Sequence, residues 1–262
     1  PRRVCRRALG IYIYNKEQIK RIEDACLIAA SVLDEIESII GAGVSTYEID
    51  VLARSAIKKH GAVPAFLGYK GFPAAVCTSI NEVVVHGIPR RDVKLKNGDI
   101  IGIDIGVHFN EYYGDTARSY AIGPVGEKVD RLLQVTRESL YRAISKAVAG
   151  SRISDVSHAV EAHVTRFGFA PVEEFVGHGI GRNLHEEPSV PNFGAGGRGP
   201  RIKDGMVFAI EPMINAGVRD VEVMEDGWTV VTRDGEYSAH FEHTVAIVDG
   251  KAQILTRGKN FN

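Results

Sequence analysis

The stretch Ile100–Tyr120, IIGIDIGVHFNEYYGDTARSY, limits the fold more than any other, because it reads as a β-hairpin carrying two aspartates on one face. Ile101, Ile103, Ile105 and Val107 alternate with Gly102, Asp104 and Gly106, so the apolar set points one way and Asp104 the other. A turn near Phe109 and Asn110 sets Asp104 directly opposite Asp115, with Cβ atoms about 5 Å apart. Two facing carboxylates destabilise a sheet unless a proton or a cation lies between them, and the glycines flanking Asp104 leave room for an ion. The plainer reading is a solvated hairpin with two surface acids. On these residues alone the two readings stand level.

Further along, His178 lies between glycines in Gly177-His178-Gly179, where a backbone can approach an ion closely, and His185 follows seven positions on. In Met206-Val207-Phe208-Ala209-Ile210-Glu211-Pro212 the apolar set Met206, Phe208 and Ile210 faces away from Glu211, and Pro212 ends the strand. Glu242 shares a face with His240 and Thr244 inside an otherwise apolar strand, where an ionised carboxylate is costly unless paired or coordinated. Each acid alone reads as well as a surface residue or an ion-pair partner. Together Asp104, Asp115, His178, Glu211 and Glu242 make four carboxylates and one imidazole, a set that suits two divalent cations sharing bridging carboxylates. Such a pair acidifies a bridging water and clamps the oxygen it attacks, which implies hydrolysis.

These segments sit in a repeated pattern. Asn15-Lys16-Glu17-Gln18 reads as a capping box opening a helix on Ile19, Ile22, Cys26, Ala29, Leu33, Ile36 and Ile40, and Ser45-Thr46-Tyr47-Glu48 opens a second that runs to Gly61. Strands are expected at Ala74–Ile80, at Glu82–Val85 and in the two hairpin arms. After Gly123 the pattern restarts, with helices over about Glu127–Val148 and Ser154–Phe167. Strands then follow near Phe175 and at Met206–Glu211, Val221–Met224, Trp228–Val231 and Tyr237–Val248. Two helices then several strands, twice over, predict an α+β domain over residues 14–262 built from pseudo-repeats of about 14–123 and 124–250. Their antiparallel sheets would join, with helices on one face and a cleft on the other. A two-domain chain with a boundary near Gly123 is the alternative. Residues 1–13, with the run Arg2, Arg3, Arg6 and Arg7, read as a flexible basic extension.

The net charge of −1 gives no support for a nucleic-acid or membrane partner. No run of about eighteen apolar residues is present, and the first residues lack the apolar core of a secretory signal, so a cytoplasmic protein is expected. Cys5, Cys26 and Cys77 form neither an even framework nor a metal spacing and are expected as reduced thiols.

The motifs SINEVVVHGIP, GDIIGIDIGV, GDTARSY, GHGIGRNLHEEP, IEPMINAG, DGWTV and EHT closely resemble those of type I methionine aminopeptidases, dinuclear metalloproteases with the pita-bread fold, and the match extends from about Tyr14 to Leu255. The resemblance implies that Asp104 chelates one metal, that His178 and Glu211 hold the other, and that Asp115 and Glu242 bridge them. It implies removal of the N-terminal methionine from nascent proteins whose next residue is small and uncharged. The substrate's free α-amine would meet one metal, and the other metal with His185 would polarise the scissile carbonyl. A bridging hydroxide would attack, Glu211 acting as general base and His86 bonding the scissile amide or the next residue. Tyr69, Phe72, Cys77 and Trp228 would line the methionine pocket, where aromatics and a thiol suit a soft thioether. Asn81, Val83 and Ser238 match a family site for a monovalent cation. Phe66 stands where relatives often carry cysteine, and Leu184 where phenylalanine is common, so the pocket's shape is expected to differ.

The spacing of His178, Glu211 and Glu242 leaves no room for the insertion of type II enzymes, which favours a bacterial-type enzyme. The family resemblance further implies a monomer, transient ribosome contact, and Co²⁺, Mn²⁺, Fe²⁺ or Zn²⁺ as the metal. An X-Pro aminopeptidase or prolidase of the same fold, and a metal-free pita-bread binding protein, are the alternatives. The first usually carries an extra N-terminal domain, and the second loses ligands that are all present here.

Overall fold

A computed structural model describes residues 10–259 and 261. Both capping boxes form. The Asn15 side chain accepts the Gln18 amide at 2.9 Å and Gln18 Oε1 accepts the Asn15 amide at 3.0 Å, opening α1 (Lys16–Glu37). Ser45 and Glu48 do the same for α2 (Thr46–Lys59). These reciprocal bonds satisfy amides that the first turn leaves orphaned. Helix α1 stops before Ile39 and Ile40; Ile39 is exposed, while Ile40 packs against the core beneath the helix. The first half then lays down β1 (Val63–Pro64), β2 (Val76–Ile80), β3 (Val83–Val85), β4 (Ile100–Phe109) and β5 (Tyr112–Ala121).

The second half opens with α3 (Glu127–Lys146) and α4 (Ile153–Val164), and residues 165–167 tighten into a 3₁₀ turn where the sequence predicts continued helix. Short strands follow: β6 (Ala170–Pro171), β7 (Gly177–Gly179), β8 (Glu186–Val190), β9 (Val207–Ile210) and β10 (Met213–Asn215). The last are β11 (Val221–Val223), β12 (Val230–Thr232), β13 (Ser238–His240), β14 (Glu242–Val248) and β15 (Lys251–Ile254). The strand expected near Phe175 starts instead at Gly177. The single strand expected over Tyr237–Val248 is two, because the chain changes sheets at Phe241, whose amide bonds the Pro212 carbonyl.

One sheet runs through both halves in the order β1-β4-β5-β14-β9-β7-β8, with β2 on β4 and β15 on β14. Its seam is the β5–β14 pairing of Glu242 with Ala117 and His243 with Thr116. Two three-stranded sheets, β13-β10-β6 and β11-β12-β3, flank it. Helices α1 and α2 cover Ile101, Ile103, Ile105 and Val107 on one side of the first half, as the alternating pattern predicts. Helices α3 and α4 cover Ile210, Val245 and Ile247 in the second. Each fully buried Ile or Leu in these layers contributes about 1.5–3 kcal/mol. Gly114 lets α1 lie directly on β5, since a Cβ there would stand 2.4 Å from the Cys26 amide nitrogen. Arg118 then ties sheet to helix through a buried ion pair with Asp34 at 2.7 Å. Ile11 bridges Glu187 and is buried, so the packed body already includes part of the segment read as a tail, while Arg2–Arg7 lie outside the described residues.

The hairpin departs from expectation in register. Asn110 (φ 47°) and Glu111 (φ 71°) both take left-handed backbone and form a two-residue turn, so Asp104 faces Ala117 and Asp115 faces Gly106. This is the geometry of a primed hairpin turn, whose twist matches the strands it joins. Because side chains alternate with period two, the two-residue shift moves the aspartates to a diagonal and keeps them on one face.

Candidate active site

The sheet presents two rows of side chains on the face away from the helices. In the first, Asp104 on β4 faces Ala117 on β5, which faces Glu242 on β14. The β9–β14 register pairs Ile210 with His243, and one step further brings in Glu211. In the second row Gly106 faces Asp115, Thr244 faces Ala209, and the Gly179–Phe208 pairing carried one residue on brings His178 to Ala209. The Thr244 hydroxyl donates to the Asp115 carbonyl at 2.8 Å and ties β14 to β5 within that second row. All five residues read from the sequence as ligands therefore converge, two from the first half and three from the second.

The space among them comes from a source other than the one expected. The room beside Gly106 is taken by Phe66, whose ring would lie 2.5 Å from an added Cβ. Gly177 and Gly179 likewise serve close strand packing, since a Cβ would meet the Ala209 carbonyl at 2.4 Å or the Glu187 carbonyl at 2.2 Å. Ala117 and Ala209, both fully buried, are the short positions that leave the acids facing a gap.

Charge without counter-charge dominates the electrostatics. Burial, then the repulsion of neighbouring carboxylates, pushes Asp115 and Glu242 well above the usual carboxylate range, and burial with Asp104 does the same to Glu211. Burial lifts Asp104 to about 7 against the opposing effect of its hydrogen bond with Asp115. Oxygens Asp104 Oδ1, Asp115 Oδ1 and Glu242 Oε1 are buried with no hydrogen-bond partner. Burial also depresses His178 to about 4, keeping it neutral. Its Nδ1 lies 3.0 Å from the Gly179 carbonyl and so carries the proton, which leaves the Nε2 lone pair 3.8 Å from Asp115 Oδ2 and 3.5 Å from Glu211 Oε1. Lone pairs aimed at one another are tolerable around a cation. Asp115, His178 and Glu242 each offer a donor atom mutually within 4.8 Å, a cluster able to hold a metal ion.

These acids floor a cavity of about 320 Å³. Every pocket residue expected from the sequence lines it: Phe66, Tyr69, Phe72, Cys77, Leu184 and Trp228, together with His86 and His185. Phe72 packs edge-on against Trp228 with centroids 5.1 Å apart. His86 takes φ 60° and stands edge-on to both Phe175 and Trp228. It is pinned by Gly87, where a Cβ would lie 2.1 Å from the Thr78 carbonyl. Burial lowers the His86 pKa. His185 Nδ1 bonds the Tyr69 hydroxyl at 2.9 Å and its ring lies 4.2 Å from that of His178; burial, then His178 and Lys70, lowers it to about 3. Burial, then Asp104, raises the Cys77 thiol well above its ordinary value.

Sequence reasoning missed Lys70, Val85, Glu174, Phe175, Val176 and Met213, which complete the wall. Phe175 carries a signal, an aromatic three residues before His178, that the expectation of a strand there hides. Strand alternation puts His240 on the face of Glu242, and its Nε2 lies 3.7 Å from Glu211 Oε2. Asn81, Val83 and Ser238 lie outside the cavity; the Asn81 carbonyl accepts the Ser238 amide at 2.8 Å and its side chain bonds Asp99 and the Ile100 amide.

Residues 20–249 match the profile of Metallopeptidase family M24. The chain is 47% identical over 246 residues to methionine aminopeptidase of Clostridium acetobutylicum, covering 94% of this chain and 98% of that protein. It is 49% identical over 236 residues to methionine aminopeptidase 1 of Bacillus subtilis, with 90% and 95% covered. The crystal structure of methionine aminopeptidase from Rickettsia prowazekii is similar with a TM-score of 0.92 at 42% identity, covering 94% of this chain and 100% of that one. Prolidase from Pyrococcus furiosus is similar at a TM-score of 0.76 and 26% identity, over 96% of this chain and 67% of the prolidase. With these neighbours the joined sheet and outer helices are the pita-bread architecture expected from the sequence. The chain belongs to metallopeptidase family M24.

Proposed function

We propose that the protein is a methionine aminopeptidase, a hydrolase that removes the N-terminal methionine from peptides and nascent chains whose next residue is small and uncharged. The observation that carries this reading is the convergence of four buried carboxylates and a neutral imidazole at the floor of an aromatic cavity, with three carboxylate oxygens unpartnered. The donor set fits two divalent ions, which Asp104, Asp115, His178, Glu211 and Glu242 would hold. Oxygen-rich donors with one imidazole accept Mn²⁺, Fe²⁺, Co²⁺ or Zn²⁺. When bound, the ions supply Lewis acidity toward a carbonyl and toward water.

The chain's own groups do the rest. Phe66, Tyr69, Phe72, Cys77, Leu184 and Trp228 enclose an unbranched thioether and exclude water from it. His185, tied through Nδ1 to Tyr69, keeps Nε2 for the carbonyl oxygen as negative charge develops there. Glu211, whose surroundings raise its proton affinity, takes the proton of the attacking water. His86, held between two aromatic edges, hydrogen-bonds the scissile amide or the residue after it.

Asn81, Val83 and Ser238 are the proposed monovalent-cation site. The same reading makes the protein a cytoplasmic monomer that meets nascent chains at the ribosome; among the described residues no helix is long and apolar enough to cross a membrane. The test is release of methionine by protein loaded with Co²⁺ or Mn²⁺. Met-Ala-Ser should be cleaved, and Met-Lys-Ser and N-acetylated Met-Ala-Ser should not; equal turnover of all three refutes the assignment.

A further inference from the structure

His240 is almost fully buried, and its Nε2 has no hydrogen-bond partner. A buried polar nitrogen without a partner is costly, and the nearest charged oxygen resolves what it is for: Nε2 lies 3.7 Å from Glu211 Oε2. The other oxygen of the same carboxylate, Oε1, lies 3.5 Å from His178 Nε2. Glu211 is thus spanned by two imidazoles, one at each oxygen. The backbone of His240 is fixed for this placement. Its amide donates to Ser119 Oγ at 2.9 Å, and its carbonyl accepts from the same hydroxyl at 2.9 Å. It also pairs with Met213, two residues past Glu211.

We infer that His240 is a positioning residue for Glu211: its Nε2–H donates to Oε2 and holds the carboxylate so that Oε1 stays turned to His178 and the ion site. The present separation closes to a normal hydrogen bond with a shift of roughly 0.7 Å. Donors behind ligating carboxylates orient them and tune their basicity, and losing one costs about ten- to a hundredfold in metal affinity. The inference rests on the proposed function for its catalytic meaning but not for its metal-binding readout.

Two variants test it, His240→Leu, which removes the donor, and His240→Gln, which keeps one. Mn²⁺ is titrated calorimetrically into chelator-stripped protein, and thermal melting confirms the fold of each variant. His240→Leu should weaken binding of one Mn²⁺ about ten- to a hundredfold and lower kcat for Met-Ala-Ser while leaving KM in place, and His240→Gln should stay within about threefold of the parent in both. Unchanged Mn²⁺ affinity in His240→Leu overturns the inference. So does loss of one ion, or weakening beyond about tenfold, in His240→Gln, since the ring would then be a ligand itself. If the leucine variant does not fold, His240→Met, which also lacks a donor, takes its place under the same criteria. Failure of the unmodified protein to cleave Met-Ala-Ser would count against the function and leave the Mn²⁺ comparison intact.

Discussion

Asp104 and Glu242, from opposite halves of the chain, both flank Ala117, because β4 and β14 pair with β5 at that residue from either side. A methyl group is all that stands between them in the row. Ala117→Leu should fill the gap, costing about 1–3 kcal/mol in overpacking and blocking divalent ions from the acids. Calorimetric titration with Mn²⁺ reads the effect; parental affinity in the variant would mean that the gap is not where ions sit.

Asp115 and Glu242 are expected to serve both ions. Asp115→Asn or Glu242→Gln should therefore abolish the two-ion state rather than remove one ion cleanly, as counted by elemental analysis after dialysis. Two tightly held ions in either variant would contradict the bridging role.

His86 stands edge-on to Phe175 and Trp228 and belongs to neither acid row, so its loss should spare the metal. His86→Ala is expected to lower turnover of Met-Ala-Ser by about 10²- to 10⁴-fold at unchanged metal content. Metal loss in that variant would reassign His86 to the ion site.

The crowded acids also set a pH dependence. Burial moves Asp104 from 3.8 to about 7, and Asp115, Glu211 and Glu242 are displaced in the same direction. The folded chain then holds protons that the unfolded chain has released. The carboxylates' contribution is therefore present below about pH 4 and lost as pH rises through about 7. His178, His185, His240 and His243, depressed by burial from 6.5 to about 3–4, oppose it below 6.5, so metal-free stability falls with rising pH in the window above about 6.5. The melting temperature of stripped protein should drop across that window, and a divalent ion at a hundred times its Kd should return about 2.7 kcal/mol. A melting temperature that stays flat in stripped protein would count against the burial argument.

Much of this was legible because the patterns that betray it are local. Alternation in Ile101–Val107 gave the buried and the acid face of the hairpin, and the caps at Asn15 and Ser45 placed two helix starts. Register was not local in that sense. It depended on Asn110 and Glu111 both adopting positive φ, and glutamate is not a residue that announces such a turn. The break at Phe241 was hidden for a similar reason: an uninterrupted apolar run says nothing of which sheet each residue joins. The gap in the acid rows came from Ala117 and Ala209, residues without chemistry of their own, whose meaning appears only once three strands are side by side.

The seam between β5 and β14 sets when this chain can work. Strand β14 is made more than a hundred residues after the hairpin, and Glu242 reaches Ala117 only when that strand docks. While the polypeptide is still being synthesised, the early half has no partner for its two aspartates. The enzyme is thereby silent until its own late strands have been released and seated, and competence for catalysis is a readout of finished folding.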